Sequence, residues 1–324
     1  MRAIVTGGAG FIGSTLVQHL ADAGDDVVVV DSFTDYYAPS EKRRNAAQWR
    51  GAVELVDADI LDLDTDSLLG EADVVYHLAG QPGVRSSWGM EFADYTRRNI
   101  AATQKLLESA RRSTRLKRFV YASSSSVYGE PAEFPVTEET STAPFSPYGV
   151  TKLAAEHLTT LYAHNFGLPT ISLRFFTVYG PRQRPDMAFR RFITSALNGE
   201  ELVVFGDGHQ QREFTFVADI ARAVHLAGTT RSEPGTVLNL SGGSTVSVRD
   251  VLDVLAEIHG APLRVSYGQR VDGDVRRTGA RTDLARLVLG WTPTTALTDG
   301  LAAQYAWCAA AKATGELDTG RAAA

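Results

Sequence analysis

Short runs of apolar, mostly β-branched residues alternate with stretches in which apolar residues recur at helical spacing along the first half of the chain. The runs include "AIVTGG", "DVVVVDS", "VELVDADI", "ADVVYHLAG" and "KRFVYASSS", and the helical pattern "FIGSTLVQHLADAG" follows the first of them. Strands of a parallel sheet are buried on both faces and therefore read as nearly continuous apolar runs. The pattern predicts an α/β fold, with a doubly wound parallel sheet built from βαβ units.

The pattern changes beyond about residue 180. Helical patterns near residues 95–112 and after Tyr148, and a strand in "PTISLRFF", precede this point. After it, Pro, Gly and Arg cluster in "YGPRQRPDM", "FGDGHQQREF" and "QRVDGDVRR", while apolar helices continue between the clusters. We therefore expect a larger domain over residues 1–178, completed by helical return segments from the C-terminal half, and a smaller substrate-binding domain over residues 179–324.

Composition restricts the classes of function. The 324 residues carry a formal net charge of −6, which offers no general attraction for nucleic acid or membranes. No apolar run approaches the ~20 residues that span a bilayer, and the first residues enter a strand directly, so we expect no signal peptide. A single cysteine, Cys308, fits a reducing compartment, and the seven histidines show no paired metal-ligand spacing. We expect a cytoplasmic globular protein without a metal site.

A glycine-rich turn, "TGGAGFIG", lies between the first strand and the first helix. Gly8, Gly10 and Gly13 form a G-x-G-x-x-G pattern, with Gly7 as an additional glycine. In this context the backbone can approach a pyrophosphate at the positive end of a helix. The turn therefore predicts a dinucleotide site, although a tight turn without a ligand has the same pattern.

Two acidic strand ends support the dinucleotide interpretation. Asp31 ends "VVVVD" 18 residues after Gly13 (31 − 13), where it could accept hydrogen bonds from the adenosine ribose. A carboxylate there would repel the additional phosphate of NADP, which favours NAD. A solvated carboxylate at a strand end is the alternative. The "DADI" segment at residues 57–60 could flank the adenine, or it could be an ordinary turn.

Tyr148 and Lys152 lie four residues apart in "SPYGVTKLAAEHL", on one face of a predicted helix. A lysine beside a phenol, with a nicotinamide cation nearby, favours the phenolate and lowers the tyrosine pKa towards neutrality, as a general base requires. Such pairs are also common on helix surfaces. The pair gains weight because it follows a dinucleotide turn and a strand that ends in four serines.

Taken together, these motifs resemble the extended short-chain dehydrogenase/reductase family, particularly its nucleotide-sugar epimerases. The resemblance covers nearly the whole chain and rests on "TGGAGFIG", "DADI", "HLAG", "YASSSSVYG", "YGVTK", "RFFTVYGPRQRPDM" and "FGDGHQQREFTFVAD". It implies a Rossmann-type NAD-binding domain over residues 1–178. The NAD contacts that it implies are Gly7, Gly10, Phe11, Ile12, Gly13, Asp31, Asp59, Ile60, Leu78, Ala79, Tyr148 and Lys152.

The same resemblance explains the serine run "YASSSSVYG". It implies that Ser124, Tyr148 and Lys152 are catalytic, with Ser124 bonded to the sugar 4-hydroxyl and Ser125 and Ser126 along the pyranose. Dehydrating relatives carry Asp-Glu after the catalytic hydroxyl, and decarboxylating relatives carry Glu there. This chain has serines at these positions, which argues for reversible oxidation at C4 without elimination.

Arginines would hold the substrate diphosphate, since an anion on a net-negative protein needs local positive charge. Arg212 in "QREF" matches the family's phosphate-binding arginine. Arg270 and Arg276 flank "DGD" and are weaker candidates, because this stretch departs from the family's usual run. Arg85 in "QPGVRSSW" could contact substrate or form an ion pair within its loop.

The segment "RQRPDM", with Arg182 and Arg184, resembles UDP-glucuronate 4-epimerases, as does "VDSFTDYY". Thr177 stands where many UDP-glucose epimerases carry Asn. Arg184, Ser126 and Thr177 could hold the C5 carboxylate of a uronate, and a fixed cradle would prevent the 4-keto intermediate from losing carbon dioxide. Arg184 could instead be a surface arginine of a polar loop.

The resemblance thus implies NAD-dependent conversion of UDP-glucuronate to UDP-galacturonate, with NAD retained and a homodimer as the expected assembly. UDP-glucose/UDP-galactose 4-epimerisation is the alternative within enzymes, and it would leave Arg184 without a carboxylate partner. A non-catalytic NAD-sensing protein would share the glycine turn and Asp31. It would not need Ser124, Tyr148 and Lys152 together.

Overall fold

A computed structural model describes residues 1–269 and 276–317 of the chain. The strands in these ranges are β1 (Arg2–Thr6), β2 (Asp26–Asp31), β3 (Val53–Asp57), β4 (Val74–His77), β5 (Arg118–Ser124), β6 (Thr170–Phe175), β7 (Thr177–Tyr179), β8 (Leu202–Phe205), β9 (Gln211–Phe216), β10 (Thr236–Leu240), β11 (Thr245–Ser247) and β12 (Val265–Gly268).

The α-helices in the same ranges are α1 (Phe11–Asp22), α2 (Pro39–Ala47), α3 (Thr65–Gly70), α4 (Phe92–Tyr95), α5 (Ala102–Arg112), α6 (Pro147–Phe166), α7 (Ala188–Asn198), α8 (Val217–Thr229), α9 (Val248–His259), α10 (Asp283–Leu289) and α11 (Leu297–Ala313). A π-helical segment, Thr96–Ala101, joins α4 to α5. The 20-residue helix α6 begins with a local signal, because the Ser146 hydroxyl accepts from the Gly149 amide and Pro147 occupies the first turn.

The main sheet has seven parallel strands in the order β10-β6-β5-β4-β1-β2-β3, which confirms the predicted doubly wound parallel sheet. One apolar layer, which includes Leu16, Val17 and Val224, lies between the sheet and helices α1 and α8. A second layer, with Leu106 and Ala155, lies beneath α5 and α6 on the opposite face. Both faces are covered, which is why the strands read as continuous apolar runs.

The strand order reverses beside β1, whose neighbours are β2 and β4. In sheets of this kind ligands bind in the crevice at the carboxyl ends of the strands near this reversal. The edge strand β10 comes from residues 236–240, so the second half of the chain returns a strand as well as helices to the main sheet.

The remaining strands form two small sheets, β11-β9-β7 and β12-β8. They surround an apolar cluster with α7, α9 and α11 that includes Phe189, Ile193, Leu255 and Leu301. The short β7 follows β6 after a single residue, Phe176. Because of this close connection, the second cluster lies directly beside the carboxyl end of the main sheet.

Candidate active site

A cavity opens at the carboxyl ends of β1, β2, β4 and β5, where the order of the strands reverses. All the residues that the sequence predicts as NAD contacts line it, namely Gly7, Gly10, Phe11, Ile12, Gly13, Asp31, Asp59, Ile60, Leu78, Ala79, Tyr148 and Lys152. Residues from distant parts of the chain thus meet in one cavity, hereafter called the cofactor cavity.

The glycine turn fits a group that approaches the backbone closely. Gly7 has φ +70°, and a Cβ there would lie 2.7 Å from the Ala79 amide nitrogen. A Cβ at Gly13 would lie 2.1 Å from the Gly7 carbonyl oxygen. Larger residues at either position would force the turn apart and separate α1 from β4. The N-terminus of α1 therefore faces the cavity with bare backbone, which suits the pyrophosphate of a dinucleotide.

The two acidic strand ends have different partners. Asp31 is buried at the end of β2, and its carboxylate accepts from the amides of Ala9 (3.0 Å) and Phe33 (2.9 Å). These bonds fix the carboxylate at the cavity wall. Asp59 accepts from the Leu61 amide (2.9 Å) and from Arg97 (2.9 Å). Both carboxylates face the end of the cavity expected for adenosine.

Two cations in the cofactor cavity were not predicted from the sequence. Lys42 of α2 is 7% exposed, and its Nζ donates to the carbonyl and hydroxyl oxygens of Thr34 at 3.0 Å each. Arg98 of the π-helical segment donates to the Gln81 side chain at 2.6 Å. Within residues 1–269 and 276–317 neither cation has an acidic ion-pair partner. Neither belongs to a recognisable motif, so no signal in the sequence singled them out.

The electrostatics around Lys42 favour a bound anion. Burial lowers its pKa, Asp31 acts in the opposite direction, and Arg98 lowers the pKa further by repulsion. Two cations that repel one another across a cavity are stabilised by a ligand that carries negative charge.

Tyr148 and Lys152 lie on successive turns of α6 and face the nicotinamide end of the same cavity. Burial raises the pKa of Tyr148, and the approach of the Ser124 hydroxyl counteracts part of this rise. The sequence predicted a tyrosine pKa near neutrality. Burial outweighs the lowering effects of Ser124 and Arg184 on this pKa, and the cation of an oxidised nicotinamide, which is part of the prediction, would act against burial.

Burial lowers the pKa of Lys152 to about 7, although Glu156 acts against this shift. Its Nζ lies 4.5 Å from the centre of the Tyr121 ring, and cation–π attraction there favours the charged form. The lysine can therefore gain or lose a proton near neutral pH.

Buried polar groups support this end of the cavity from behind. His77 at the end of β4 lies between the hydroxyls of Thr6 (2.7 Å) and Thr103 (2.8 Å), and burial lowers its pKa to about 3. Asn99 lies in the π-helical segment, where its side chain accepts from the Gln81 amide (2.6 Å) and donates to Thr151 (3.0 Å). Neither group was predicted from the sequence. For Asn99 the reason is that a π-helix, which often occurs at functional sites, cannot be recognised from hydrophobic spacing.

The serine run turns away from the sheet at the carboxyl end of β5. Ser124 is 8% exposed, and its hydroxyl accepts from the Ser126 amide at 3.1 Å. Ser125 and Ser126 are half-buried in the 3₁₀ turn that follows. Ser124 lies beside Tyr148, but none of the three serines is among the residues that line the cofactor cavity or the second cavity.

A second cavity, hereafter the substrate cavity, adjoins the first, because Tyr36 and Arg184 line both. Three further residues that the sequence predicts as substrate contacts line it, namely Thr177, Arg212 and Arg85. Arg85 lies 4.7 Å above the Phe205 ring and makes no ion pair with a described residue, which does not match the loop ion pair given as its alternative.

Arg191 is a substrate-cavity residue that the sequence did not suggest. It lies 5.2 Å from the Phe205 ring, on the same ring that Arg85 approaches, and repulsion from Arg85 lowers its pKa in addition to burial. Together with Arg212 these cations concentrate positive charge in the cavity, as a diphosphate requires.

Arg184 is held by a neighbouring carboxylate. Its Nε and Nη2 donate to the two oxygens of Asp186 at 3.0 Å each, and the guanidinium lies 5.8 Å from the centre of the Tyr36 ring. This side-on pairing uses one edge of the guanidinium and leaves the Nη1 edge for the junction of the two cavities. The arginine is thus oriented in advance, and Asp186 is the residue that orients it.

Arg182 of the "RQRPDM" motif and the predicted contact Arg276 lie elsewhere. Arg182 binds the Ser14 carbonyl (3.0 Å) and Gln48 (3.1 Å), so it ties its loop to α1 and leaves the substrate cavity to Arg184. Arg276 is exposed beside β9, where its carbonyl accepts from the Gln211 amide, and it does not line either cavity. Arg270 lies outside the described residues.

Other kinds of site receive no support from the described residues. Within residues 1–269 and 276–317 no three His, Cys, Asp or Glu side chains come together in an arrangement suited to a metal ion. No helix in these ranges has the length and apolar character needed to cross a membrane.

Comparison with known proteins agrees with this geometry. Residues 3–241 match the model of the NAD dependent epimerase/dehydratase family, so the chain belongs to this family. It is 41% identical over 310 residues to the Bacillus subtilis (strain 168) protein described as an uncharacterized UDP-glucose epimerase, YtcB, with coverage of 95% of this chain and 98% of that one. It is 33% identical over 331 residues to a probable UDP-glucuronate 4-epimerase of Rhizobium meliloti (strain 1021), covering 95% and 96%.

Among solved structures, the chain resembles UDP-glucuronic acid 4-epimerase from Bacillus cereus in complex with UDP-glucuronic acid and NAD. The TM-score is 0.91 at 42% sequence identity, over 95% of this chain and 98% of that chain. The family resemblance predicted from the motifs and the Rossmann-type sheet are therefore confirmed.

Proposed function

We propose that this protein is an NAD-dependent isomerase that epimerises UDP-glucuronate at C4 to UDP-galacturonate. The observation that carries the proposal is the junction of the two cavities. Tyr148 and Lys152 line the cofactor cavity with Ser124 beside Tyr148, and Arg184 lines both cavities. The two residues after Ser124 are serines, so no carboxylate stands there to catalyse elimination. The relatives named above act on UDP-sugars according to their names, and one has NAD bound.

In this proposal the residues of the cofactor cavity hold the dinucleotide. The α1 N-terminus, Lys42 and Arg98 contact its pyrophosphate, and Asp31 accepts from its adenosine ribose. When bound, NAD supplies a hydride acceptor that later returns the hydride to the sugar. The cofactor is regenerated in each cycle, so a cavity with two cations that form no ion pair with a described carboxylate suits a cofactor that is retained.

The proposed catalytic residues transfer the proton of the C4 hydroxyl. Tyr148 removes the proton from the C4 hydroxyl and returns it after the 4-keto sugar has turned over in the site. Ser124 orients that hydroxyl and shares its hydrogen bond with Tyr148. Lys152, with its pKa near 7, donates to Tyr148 and to the nicotinamide ribose when it is charged. A buried site protects the reduced cofactor and the keto sugar from water.

The substrate cavity would bind the rest of the UDP-sugar. Arg85, Arg191 and Arg212 hold the diphosphate, and the Nη1 edge of Arg184 binds the C5 carboxylate with help from Thr177 and Ser126. A carboxylate held in one orientation cannot turn perpendicular to the C4 carbonyl, which is the geometry that favours decarboxylation. Arg276 is the weakest of the proposed contacts, because it is exposed outside the cavity.

The proposal also covers the domain boundaries, the oligomeric state and the cellular location. We propose an NAD-binding domain over residues 1–178 and a substrate-binding domain over residues 179–324, with α8 and β10 returning to the first. Helix α6 carries exposed apolar residues, Val150 (48%), Leu161 (51%) and Phe166 (52%), which suit a homodimer interface. A cytoplasmic location agrees with the single buried cysteine.

The proposal is tested with purified protein and no added NAD. UDP-glucuronate and UDP-glucose are incubated separately, and products are separated by anion-exchange chromatography. We expect UDP-galacturonate from the first and far less product from the second. UDP-galactose as the dominant product would assign the neutral-sugar reaction, and a UDP-pentose would contradict the proposed cradle. No product from either, with NAD bound, would support the NAD-sensing alternative.

A further inference from the structure

One serine of the run, Ser123, has no role in the mechanism above. It is 3% exposed at the end of β5, and its hydroxyl donates to Glu156 Oε2 at 2.5 Å. Glu156 lies four residues after Lys152 and eight after Tyr148 on α6, so the three side chains form one stripe along the helix. The bond therefore joins the strand that carries Ser124 to the helix face that carries Tyr148.

Glu156 is also held by a residue of a further strand, Arg174 of β6. It is 2% exposed, and both of its oxygens accept from Arg174 of β6, with the shortest distance, Nη2 to Oε1, 2.6 Å. Arg174 also donates to the Tyr128 hydroxyl at 2.7 Å, and that hydroxyl contacts Asn239 of β10 at 2.8 Å. Tyr128 follows the serine run, so the network holds this turn on both sides of Ser124.

We propose that Ser123, Glu156 and Arg174 form a positioning unit that sets the separation between the Ser124 hydroxyl and the Tyr148 phenol. Ser123 fixes the end of β5, Glu156 fixes the catalytic face of α6, and Arg174 holds the carboxylate between them. The inference rests on the proposed function, because it assigns these residues a task in the same reaction. A buried ion pair is weak evidence for stability by itself, but it can specify one arrangement of the elements that it joins.

The unit also has an electrostatic consequence. Lys152 faces Tyr148 and Glu156 on its own helix, His77 on β4 and the Tyr121 ring on β5. Glu156 is the facing carboxylate, and its negative charge favours the charged form of Lys152. Removal of this charge moves the pH at which Lys152 loses its proton downwards.

The test uses the complete protein with its retained cofactor. Ser123→Ala leaves the Glu156–Arg174 pair intact, so the fold is preserved, and Ser172→Ala is the matched control. Ser172 is also a buried serine of the main sheet, on β6, and its hydroxyl takes no part in this network. For each variant kcat, KM for UDP-glucuronate, bound NAD and the thermal midpoint are measured.

We expect Ser123→Ala to lower kcat about 10- to 100-fold with KM and bound NAD near wild type, since a small misplacement of reacting groups has an effect of this size. We expect Ser172→Ala to keep the wild-type kcat. An unchanged kcat in Ser123→Ala, or a loss of bound NAD in proportion to the loss of activity, would overturn the proposal. Ser123 also lines the cofactor cavity, and the NAD measurement separates the two roles.

Glu156→Gln supplies the second readout, because the amide can still accept from Ser123 but carries no charge. We expect the alkaline limb of its kcat–pH profile to move to lower pH, whereas Ser123→Ala leaves this limb in place. Coincident profiles of Glu156→Gln and wild type would overturn the electrostatic part. If the wild-type protein does not epimerise UDP-glucuronate, the proposed function is wrong. This outcome is seen without any variant and is therefore distinguishable from a failure of the positioning proposal, which requires an active wild-type enzyme.

Discussion

The two cavities differ in how they are built. The cofactor cavity lies at the carboxyl ends of parallel strands, and most of its predicted residues lie at or directly after the end of a strand or in the first turns of a helix. The substrate cavity lies between small sheets, α7 and the loop at residues 83–86, where arginines stack on the Phe205 ring. The first cavity is formed by backbone geometry and the second by side chains. Specificity for the sugar is therefore expected to change more easily than the use of NAD.

The largest expected effect is at Tyr148 in the cofactor cavity. Tyr148→Phe removes the proton carrier and should lower kcat about 10²- to 10⁴-fold, the usual contribution of general acid–base catalysis. Bound NAD should stay at the wild-type level, because the ring remains in place. The measurement is kcat by product chromatography, together with the nucleotide released on denaturation. A variant that retains near wild-type kcat would exclude Tyr148 as the base.

A smaller effect is expected in the cofactor cavity. Lys42→Met and Arg98→Met should each weaken NAD binding about 10- to 100-fold, from loss of a charge-assisted hydrogen bond of about 1.5–3 kcal/mol. Isothermal titration of protein stripped of nucleotide, with NAD and with ADP-ribose, measures this. Both ligands should weaken equally, since both carry the pyrophosphate.

Lys105→Met is the matched control for Lys42. Lys105 also donates to buried loop carbonyls, those of Leu61 and Leu63, but it does not line the cofactor cavity. The affinity of Lys105→Met for NAD should equal that of wild type. If Lys42→Met and Lys105→Met lose affinity equally, the loss reflects a disturbed loop and not the missing positive charge at the pyrophosphate.

In the substrate cavity, a substitution of Arg184 should affect one sugar substrate and not the other. Arg184→Gln should raise KM for UDP-glucuronate about 10-fold or more, by loss of a charge-assisted bond, and leave turnover of UDP-glucose little changed. Asp186→Asn retains Arg184 but loosens its orientation, so a smaller effect in the same direction is expected. Steady-state kinetics with UDP-glucuronate and UDP-glucose measure both effects. An equal loss of activity with both sugars would contradict a role of Arg184 in binding the carboxylate and would indicate a general packing defect.

The smallest expected effect is on stability. Lys152 has a pKa of about 7 in the folded protein and an ordinary pKa of 10.5 in the unfolded chain, so between these pH values the unfolded chain binds more protons. Stability should therefore rise with pH in this window, by about 2 kcal/mol between pH 7 and 9 relative to Lys152→Met. Urea unfolding of nucleotide-free protein at both pH values measures the difference. Identical pH trends in the two proteins would contradict the lowered pKa.

Prediction from the sequence succeeded where chemistry depends on local geometry. The glycine turn, Asp31 and the Tyr148–Lys152 spacing all follow from a strand, a turn or a helical repeat, and all of them line the cofactor cavity. It was less successful with the arginines. Arg182 and Arg184 stand two residues apart in one motif, yet Arg182 binds α1 and Arg184 binds Asp186. Spacing in a loop does not determine direction, because no regular repeat relates its side chains.

The sequence by itself determined the parallel sheet, the glycine turn and the placement of Tyr148 and Lys152 on one helix face, since these depend on hydrophobic period, glycine positions and helical spacing. The tertiary structure alone decided which distant groups face one another. Lys42 and Arg98 line one cavity, and Glu156 of α6 bonds to both Ser123 of β5 and Arg174 of β6. Such contacts arise from the packing of whole elements around a buried core, and no local spacing in the sequence specifies which of these elements come together.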